Sequence, residues 1–273
     1  MKHRTSSIIL NGALALIAII TVSPILWMLS ASFMAPGEAS TVPLRLLPAH
    51  PTIANYIGLI SRMHMPLYFL NSLIIASAVT LISLLFNSMA GFAFAKYRFA
   101  GRNRIFQFLL SGMIIPAQVT MLPLFLMLKT MGFVNTYAGA VIPGLASIFG
   151  IFLMRQFIMA IPDSLLEAAR IDGASEFKVF RSVIIPLCRP VLVTLALFTF
   201  MGTWNDFMWP LIIMTDDSRY TLPVALANLR GEHLLDVELM MAGSVVTILP
   251  VVILFLAFQR HYIRGIMVGG VKG

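Results

Sequence analysis

Few residues in this 273-residue chain could do covalent or metal chemistry: five histidines, one cysteine and eleven acids. His3, His50, His64, His233 and His261 lie on scattered loop segments, with none of the short spacings that bring imidazoles onto one metal ion. Cys188 is single, so no intramolecular disulfide framework exists. At the start of a helix it reads as a small apolar filler. No serine–histidine–acid or paired-carboxylate pattern suggests hydrolysis. A Gly-x-x-x-x-Gly-Lys-Ser/Thr phosphate loop is absent, and without one the chain has no evident means of holding ATP. The expectation is no catalytic residue, no resident cofactor and no metal site.

Two polar stretches remain. The first, Ile161–Pro190, reads IPDSLLEAARIDGASEFKVFRSVIIPLCRP and is too polar to sit in lipid. Pro162 should stop the helix before it. Ser164-Leu-Leu-Glu167 has the form of a capping box, serine and glutamate each satisfying the other's free amide. A short helix follows through Asp172, with Glu167, Arg170 and Asp172 turned outward. Gly173 suits the left-handed residue that closes helices. Ser175 can cap a second helix, whose Phe177, Phe180 and Ile184 form an apolar stripe, with Glu176, Lys178 and Arg181 polar, up to Pro186. Such a loop could lie on anionic lipid or receive mechanical work from a protein partner. The mixed charge of its first helix suits the partner.

The second stretch is Trp204-Asn205-Asp206-Phe207-Met208-Trp209-Pro210. Asp206 is the only acid inside an apolar run. It lies about 28 Å along a helix begun near Leu187 at ~1.5 Å per residue, close to a membrane boundary. There it is either a functional group or simply solvated. Trp204 and Trp209 read as interfacial belt residues or as platforms for stacking sugars.

The elements that must carry these stretches are membrane helices. The chain is 59% hydrophobic and 11% charged, where a soluble domain has roughly a quarter charged residues. Asp, Glu, Lys and Arg are missing from 5–37, 63–95, 105–128, 130–154, 190–205 and 239–259. About 20 apolar residues cross the hydrocarbon, and helices satisfy their own backbone over that length. The fold class expected is all-α and polytopic, with six transmembrane helices in one domain, 1–273. Their approximate bounds are 7–29, 67–95, 105–128 (interrupted at Pro116 and Pro123), 137–157 (with Pro143 and Gly144), 187–210 and 239–258. The first is too long for a signal-peptide core and is read as uncleaved. A proline-rich outer loop over 34–66 includes a short interfacial helix at Ile53–Arg62. Asn71, Ser72, Ser77, Thr80, Ser83, Asn87 and Ser88 in helix two read mainly as packing residues, with a substrate path as the other reading.

Charge gives the orientation. Fourteen of nineteen basic residues fall on alternate loops: Lys2, Arg4; Lys96, Arg98, Arg102, Arg104; Arg155, Arg170, Lys178, Arg181, Arg189; Arg260, Arg264, Lys272. The other side has Arg45, Arg62, Lys129, Arg219 and Arg230. The positive-inside rule then puts both termini, the 161–190 loop and the 259–273 tail in the cytoplasm. The basic 96–104 turn is read as setting topology. The net charge of +8 does not point to nucleic acid, because no aromatic residues interleave with a basic stripe on a soluble face.

Glu167-Ala168-Ala169, Asp172-Gly173-Ala174 and Ile185-Pro186 together resemble the cytoplasmic EAA signature of permease subunits in binding-protein-dependent ABC importers. That signature has isoleucine and leucine where Val183 and Ile185 stand. Trp204-Asn205, Trp209-Pro210 and the tail Gln259-Arg260 … Gly265 … Gly269-Gly270-Val271-Lys272-Gly273 are similar to carbohydrate-uptake permeases of the maltose-transporter, MalG-like type. The resemblance covers essentially the whole chain. It implies a type I importer permease fold in a bacterial cytoplasmic (inner) membrane, with a coupling helix between helices four and five. It implies as partners a homologous second permease, two ATPase subunits holding ATP and Mg, an extracytoplasmic solute-binding protein and membrane lipid. It places Glu167, Ala168, Ala169, Arg170, Asp172 and Gly173 at the ATPase contact. Trp204, Asn205, Asp206 and Trp209 become candidates for the substrate path. The cargo expected is a sugar or oligosaccharide. Alternatives are a polyol, a sugar phosphate or another solute, or an ATP-independent secondary transporter.

Overall fold

A computed structural model describes the backbone of residues 2–61, 63–232 and 236–270, and the side chains of 10–61, 63–228 and 236–258. Arg62, His233 and Lys272 fall outside the described residues; the side chains of Lys2, His3, Arg4, Arg230, Arg260, His261 and Arg264 do too. Among the described residues all regular structure is helical. The chain divides into two units, 1–67 with 225–251 and 68–224 with 252–273.

In the first unit, α1 (Lys2–Ala31) is apolar on every side. Leu10, Leu14, Ile17 and Ile19 are exposed all round, as hydrocarbon rather than water requires. Its end is anchored where Ala31, Met34 and Ala39 pack with Trp27, Val237 and Met241. The following segment is irregular, as its prolines demand, until α2 (Ala54–Ser61), the expected interfacial helix. Asn55 ties α2 back by donating to the carbonyls of Ser32 and Met34, both at 2.9 Å.

The second unit is built on α3 (Met65–Lys96), an unbroken 32-residue helix about 46 Å long at ~1.5 Å per residue. The other candidate spans lying wholly within this unit are bent pairs. α4 (Arg102–Ser111) and α5 (Ala117–Thr130) meet at 105°. The break sits at Pro116, the N-cap of α5, with Ile115 extended before it as a proline requires of its predecessor. Pro123 does not interrupt: α5 continues through it. Pro116 stands where no helical donor is needed, so the chain turns there. α6 (Tyr137–Val141) passes through a 3-10 turn at Ile142–Gly144 into α7 (Ile148–Met159) with a 43° bend. Gly91 lets α3 and α7 touch: a Cβ there would lie 2.6 Å from the Met154 Cβ.

Beyond the 161–190 loop, α10 (Arg189–Trp204) stops five residues earlier than a helix running through Trp209 would. It resumes as α11 (Met208–Ile213). α12 (Leu222–Glu232) lies between the fifth and sixth expected spans, 187–210 and 239–258. α13 (Val237–Gly270) runs on as helix through most of the tail that follows Phe258. Among the described residues three single helices are long and apolar enough to cross a membrane, or up to six spans exist if each bent pair counts as one. The fold is that of a multi-pass membrane protein.

Candidate functional site

Two short helices make the 161–190 loop, α8 (Asp163–Ile171) and α9 (Glu176–Leu187). The capping box does not form. Pro162 occupies the N-cap position, without a side-chain cap, so α8 starts two residues too early for Ser164 to cap it. Asp163 takes the first helical position instead, where its charge favours the helix dipole. It meets Lys96 Nζ at 2.6 Å, and the same amine donates to the Ile161 carbonyl. Lys96 holds the Asp163 carboxyl below its ordinary value.

The far end of α8 closes as expected. Gly173 is left-handed at φ +79°. The Ala174 amide bonds the Ala169 carbonyl and the Gly173 amide the Arg170 carbonyl, both at 3.0 Å, which is the Schellman closure. Ser175 caps α9 by accepting the Lys178 amide at 3.4 Å. Pro186 does not end α9. A five-residue π-turn, Phe180–Ile184, precedes it; the wider turn gives the proline ring room behind it. The direction changes by 81° only at Cys188, into α10.

One face of the loop is packed. Leu166, Val179, Phe180 and Ile184 join Phe92 of α3 and Met154 and Ile158 of α7 in one buried cluster. Phe177 does not complete the expected stripe, being 64% exposed. The opposite face of α8 is open: Glu167, Ala168, Arg170 and Asp172 are exposed, and Ile171 is 86% exposed beside them. Ala169 is half-buried.

Arg170 is already engaged. Its guanidinium grips Glu176, Nε to Oε1 at 2.7 Å and Nη2 to Oε2 at 3.1 Å. The Tyr97 hydroxyl donates to the same carboxylate at 2.7 Å. Arg170 first, then Tyr97, holds the Glu176 carboxyl below its ordinary value. Burial, with Glu176 beside it, pushes the Tyr97 phenol up to about 12. The start of α8 is thus fastened to Lys96, and its end, through the Glu176 carboxylate that opens α9, to Tyr97, the residue that follows α3. The sequence reading gave neither a role in the loop; the only signal was their place at the close of a long charge-free run.

At its opposite end α3 grips a second segment. The Asn71 amide donates to the carbonyls of Ser218 at 3.0 Å and Tyr220 at 2.9 Å, and accepts from the Tyr137 hydroxyl at 2.6 Å. Ser72 accepts the Leu222 amide at 2.8 Å. Further along, Asn87 accepts the Ser147 amide at 3.0 Å. These polar residues do the packing work expected of them.

The 204–209 stretch is a helix break with its own bonds. Trp204 is 1% exposed, stacked on Phe200 and edge-on to Phe69. Trp209 is buried in another cluster, its indole donating to the Gly139 carbonyl at 3.1 Å. Asp206 accepts the Trp209 amide at 3.3 Å, starting α11. Asn205 is exposed and donates to the Met201 carbonyl at 2.8 Å. Of the four, Asn205 and the half-buried Asp206 reach the surface.

Comparisons with known proteins agree on a family. The profile described as "Binding-protein-dependent transport system inner membrane component" matches residues 87–268. The chain is similar to the arabinooligosaccharides transport system permease AraQ of Halalkalibacterium halodurans, 38% identical over the whole of both chains. It is 34% identical to the trehalose/maltose transport system permease MalG of Thermococcus litoralis, over 97% of this chain and 96% of that one. Its fold superposes with a TM-score of 0.86 on a bacterial ABC transporter involved in importing the polysaccharide alginate, at 24% identity, covering 96% and 98% of the two chains. The architecture is thus the type I importer permease fold, and the chain belongs to the family of binding-protein-dependent transport system inner membrane components.

Proposed function

We propose that this chain carries a sugar or oligosaccharide across a bacterial cytoplasmic membrane, driven by ATP that partner subunits hydrolyse. In this reading all of 1–273 acts as one permease, with both termini, the 161–190 loop and the 259–273 tail cytoplasmic. A second permease completes the path, two ATPase subunits hold ATP and Mg, and an extracytoplasmic binding protein delivers cargo. The sugar assignment is supported by relatives named for arabinooligosaccharides and for trehalose and maltose.

One observation carries the coupling role. α8 is packed on one side, fastened at both ends, and bare on the face bearing Glu167, Ala168, Ile171 and Asp172. A helix so firmly held yet open is built to be pushed. Lys96 and Tyr97 pass the displacement to α3, and Asn71 and Ser72 deliver it to 218–222. Asn205 and Asp206 are the residues of the helix break open to cargo; Trp204 and Trp209 support them from behind.

The test is assembly. Gly173→Pro cannot adopt φ +79°, and Glu167→Lys reverses charge on the open face. Both variants should reach the membrane yet lose co-isolation with the ATPase and ATP-dependent oligosaccharide uptake. Undiminished uptake by this chain alone in ATP-free vesicles would sink the proposal.

A further inference from the structure

We propose that the turn joining α3 and α4 is a binding site for the phosphate headgroup of an anionic phospholipid. Arg98, Phe99, Gly101, Arg102, Asn103 and Arg104 line an open concavity of about 610 Å³. Three arginines around one hollow match an anion of phosphate size, because each guanidinium presents a planar fork to two oxygens.

None of the three arginines is held in an ion pair, although Arg98 lies within electrostatic reach of Asp163. The ion pairs among the described residues are Arg45–Glu38, Lys96–Asp163 and Arg170–Glu176; none uses these three arginines. The nearby Asp163 is taken by Lys96. Arg102 is half-buried and pre-oriented, donating from Nη1 to the Tyr97 carbonyl at 3.0 Å and from Nε to Asn103 Oδ1 at 3.4 Å. Arg98 and Arg104 stand exposed on either side.

The surroundings select a lipid over a free anion. Phe99 is 44% exposed, Ile105 47% and Phe108 78%. Arg104 and Phe108 are one helical turn apart and share a face of α4, so charge gives way to apolar surface over about 6 Å of helix. That order, cation then hydrocarbon, is the order along a phospholipid. Positive charge here also serves topology, but topology asks only for charge. It does not require an unpaired cluster around a hollow beside exposed aromatic rings.

The test uses the intact transporter, purified in detergent, titrated with phosphatidylglycerol and separately with phosphatidylcholine, and followed by native mass spectrometry. Phosphatidylglycerol should be retained preferentially. R98Q/R102Q/R104Q should weaken that retention about a hundredfold. R98K/R102K/R104K keeps the charge that sets topology but loses the forks, and should weaken it roughly tenfold. Equal retention of both lipids, or full retention by the glutamine variant, overturns the site. Displacement of the lipid by equimolar glycerol phosphate would show a free-anion site and overturn the lipid assignment. So would loss of ATPase co-isolation in the glutamine variant with lipid retention unchanged, which would make the patch a protein contact.

Discussion

The two ends of α3 hold their neighbours by different chemistry. At the Lys96 end the bonds are charged and water reaches their acid partners: the Asp163 side chain is 74% exposed and that of Glu176 48%, while the Lys96 side chain itself is 7% exposed. At the Asn71 end the bonds are neutral and centred on a buried side chain: Asn71 is 0% exposed, although its partner Tyr137 is 37% exposed and Ser218 lies at the surface. Charged, wetted bonds are screened by salt and can be exchanged for new partners at small cost. A buried neutral side chain has no water to turn to, so breaking its bonds leaves it stranded. The contrast divides the labour along one rod: the loop end is able to release and re-form during a cycle, and the far end moves as part of α3. α3 suits the task because it is continuous, where α4–α5, α6–α7 and α9–α10 all bend.

The largest effect is expected at the closed end. Asn71→Ala removes the partner of two carbonyls and one hydroxyl. Tyr137 and Ser218 reach water and can recover a partner there, so at about 1 kcal/mol for each group left stranded the loss should be about 1–2 kcal/mol. Thermal unfolding of the purified transporter should show a clear fall in Tm, with uptake lost and ATPase co-isolation retained. A drop in Tm no larger than that of a surface substitution would erase the distinction between the two ends.

Tyr97→Phe should show the reverse pattern. It deletes one hydrogen bond to an exposed carboxylate without changing ring volume. Stability should change by less than about 1 kcal/mol, as for solvent-exposed pairs. Uptake should nonetheless fall about fivefold, the low end of a typical coupling energy, because the Glu176 carboxylate that Arg170 grips is then no longer tied to Tyr97. If uptake were unchanged, α3 would not be the route by which loop movement reaches 218–222.

How much of this could be read from the chain follows from how local each signal is. The spans and the interfacial helix were legible because hydrophobic runs are local. Gly173 and Ser175 were legible because a helix end is closed by residues within a turn of it. The grips on α3 were not: Lys96 and Asp163 are 67 residues apart, Tyr97 and Glu176 79. A carboxylate that can cap, pair or face solvent does not announce its choice. Three local readings failed because two signals competed within one or two turns. Pro162 displaced the Ser164–Glu167 box, the π-turn carried α9 past Pro186, and α5 absorbed Pro123 once Pro116 had taken the bend. The indoles of Trp204 and Trp209 looked like surface residues because aromatic pairs near a span's end often are. Tertiary packing against Phe200, Phe69 and the Gly139 carbonyl draws them inward instead.

The smallest effect, and the sharpest test of the comparison, is with pH. Asp163 and Glu176 titrate below their ordinary values of 3.8 and 4.5. A depressed carboxyl stabilises the fold fully above its ordinary value and loses that contribution as pH falls through its lowered one. Acid should therefore loosen α8 from α3 in the window below about pH 4.5, while the neutral bonds of Asn71 and Ser72 do not titrate there. A spin label at Ile171→Cys should gain mobility across that window. One at Ser218→Cys should not, and the native Cys188 is buried, out of the label's reach. Raising the ionic strength at neutral pH should mimic the first change weakly, since pairs this exposed are partly screened already. Equal gains at both positions would mean that acid loosens the whole unit and that the two ends of α3 are held alike. A gain at position 171 alone would show that the charged grip opens while the buried one stays closed.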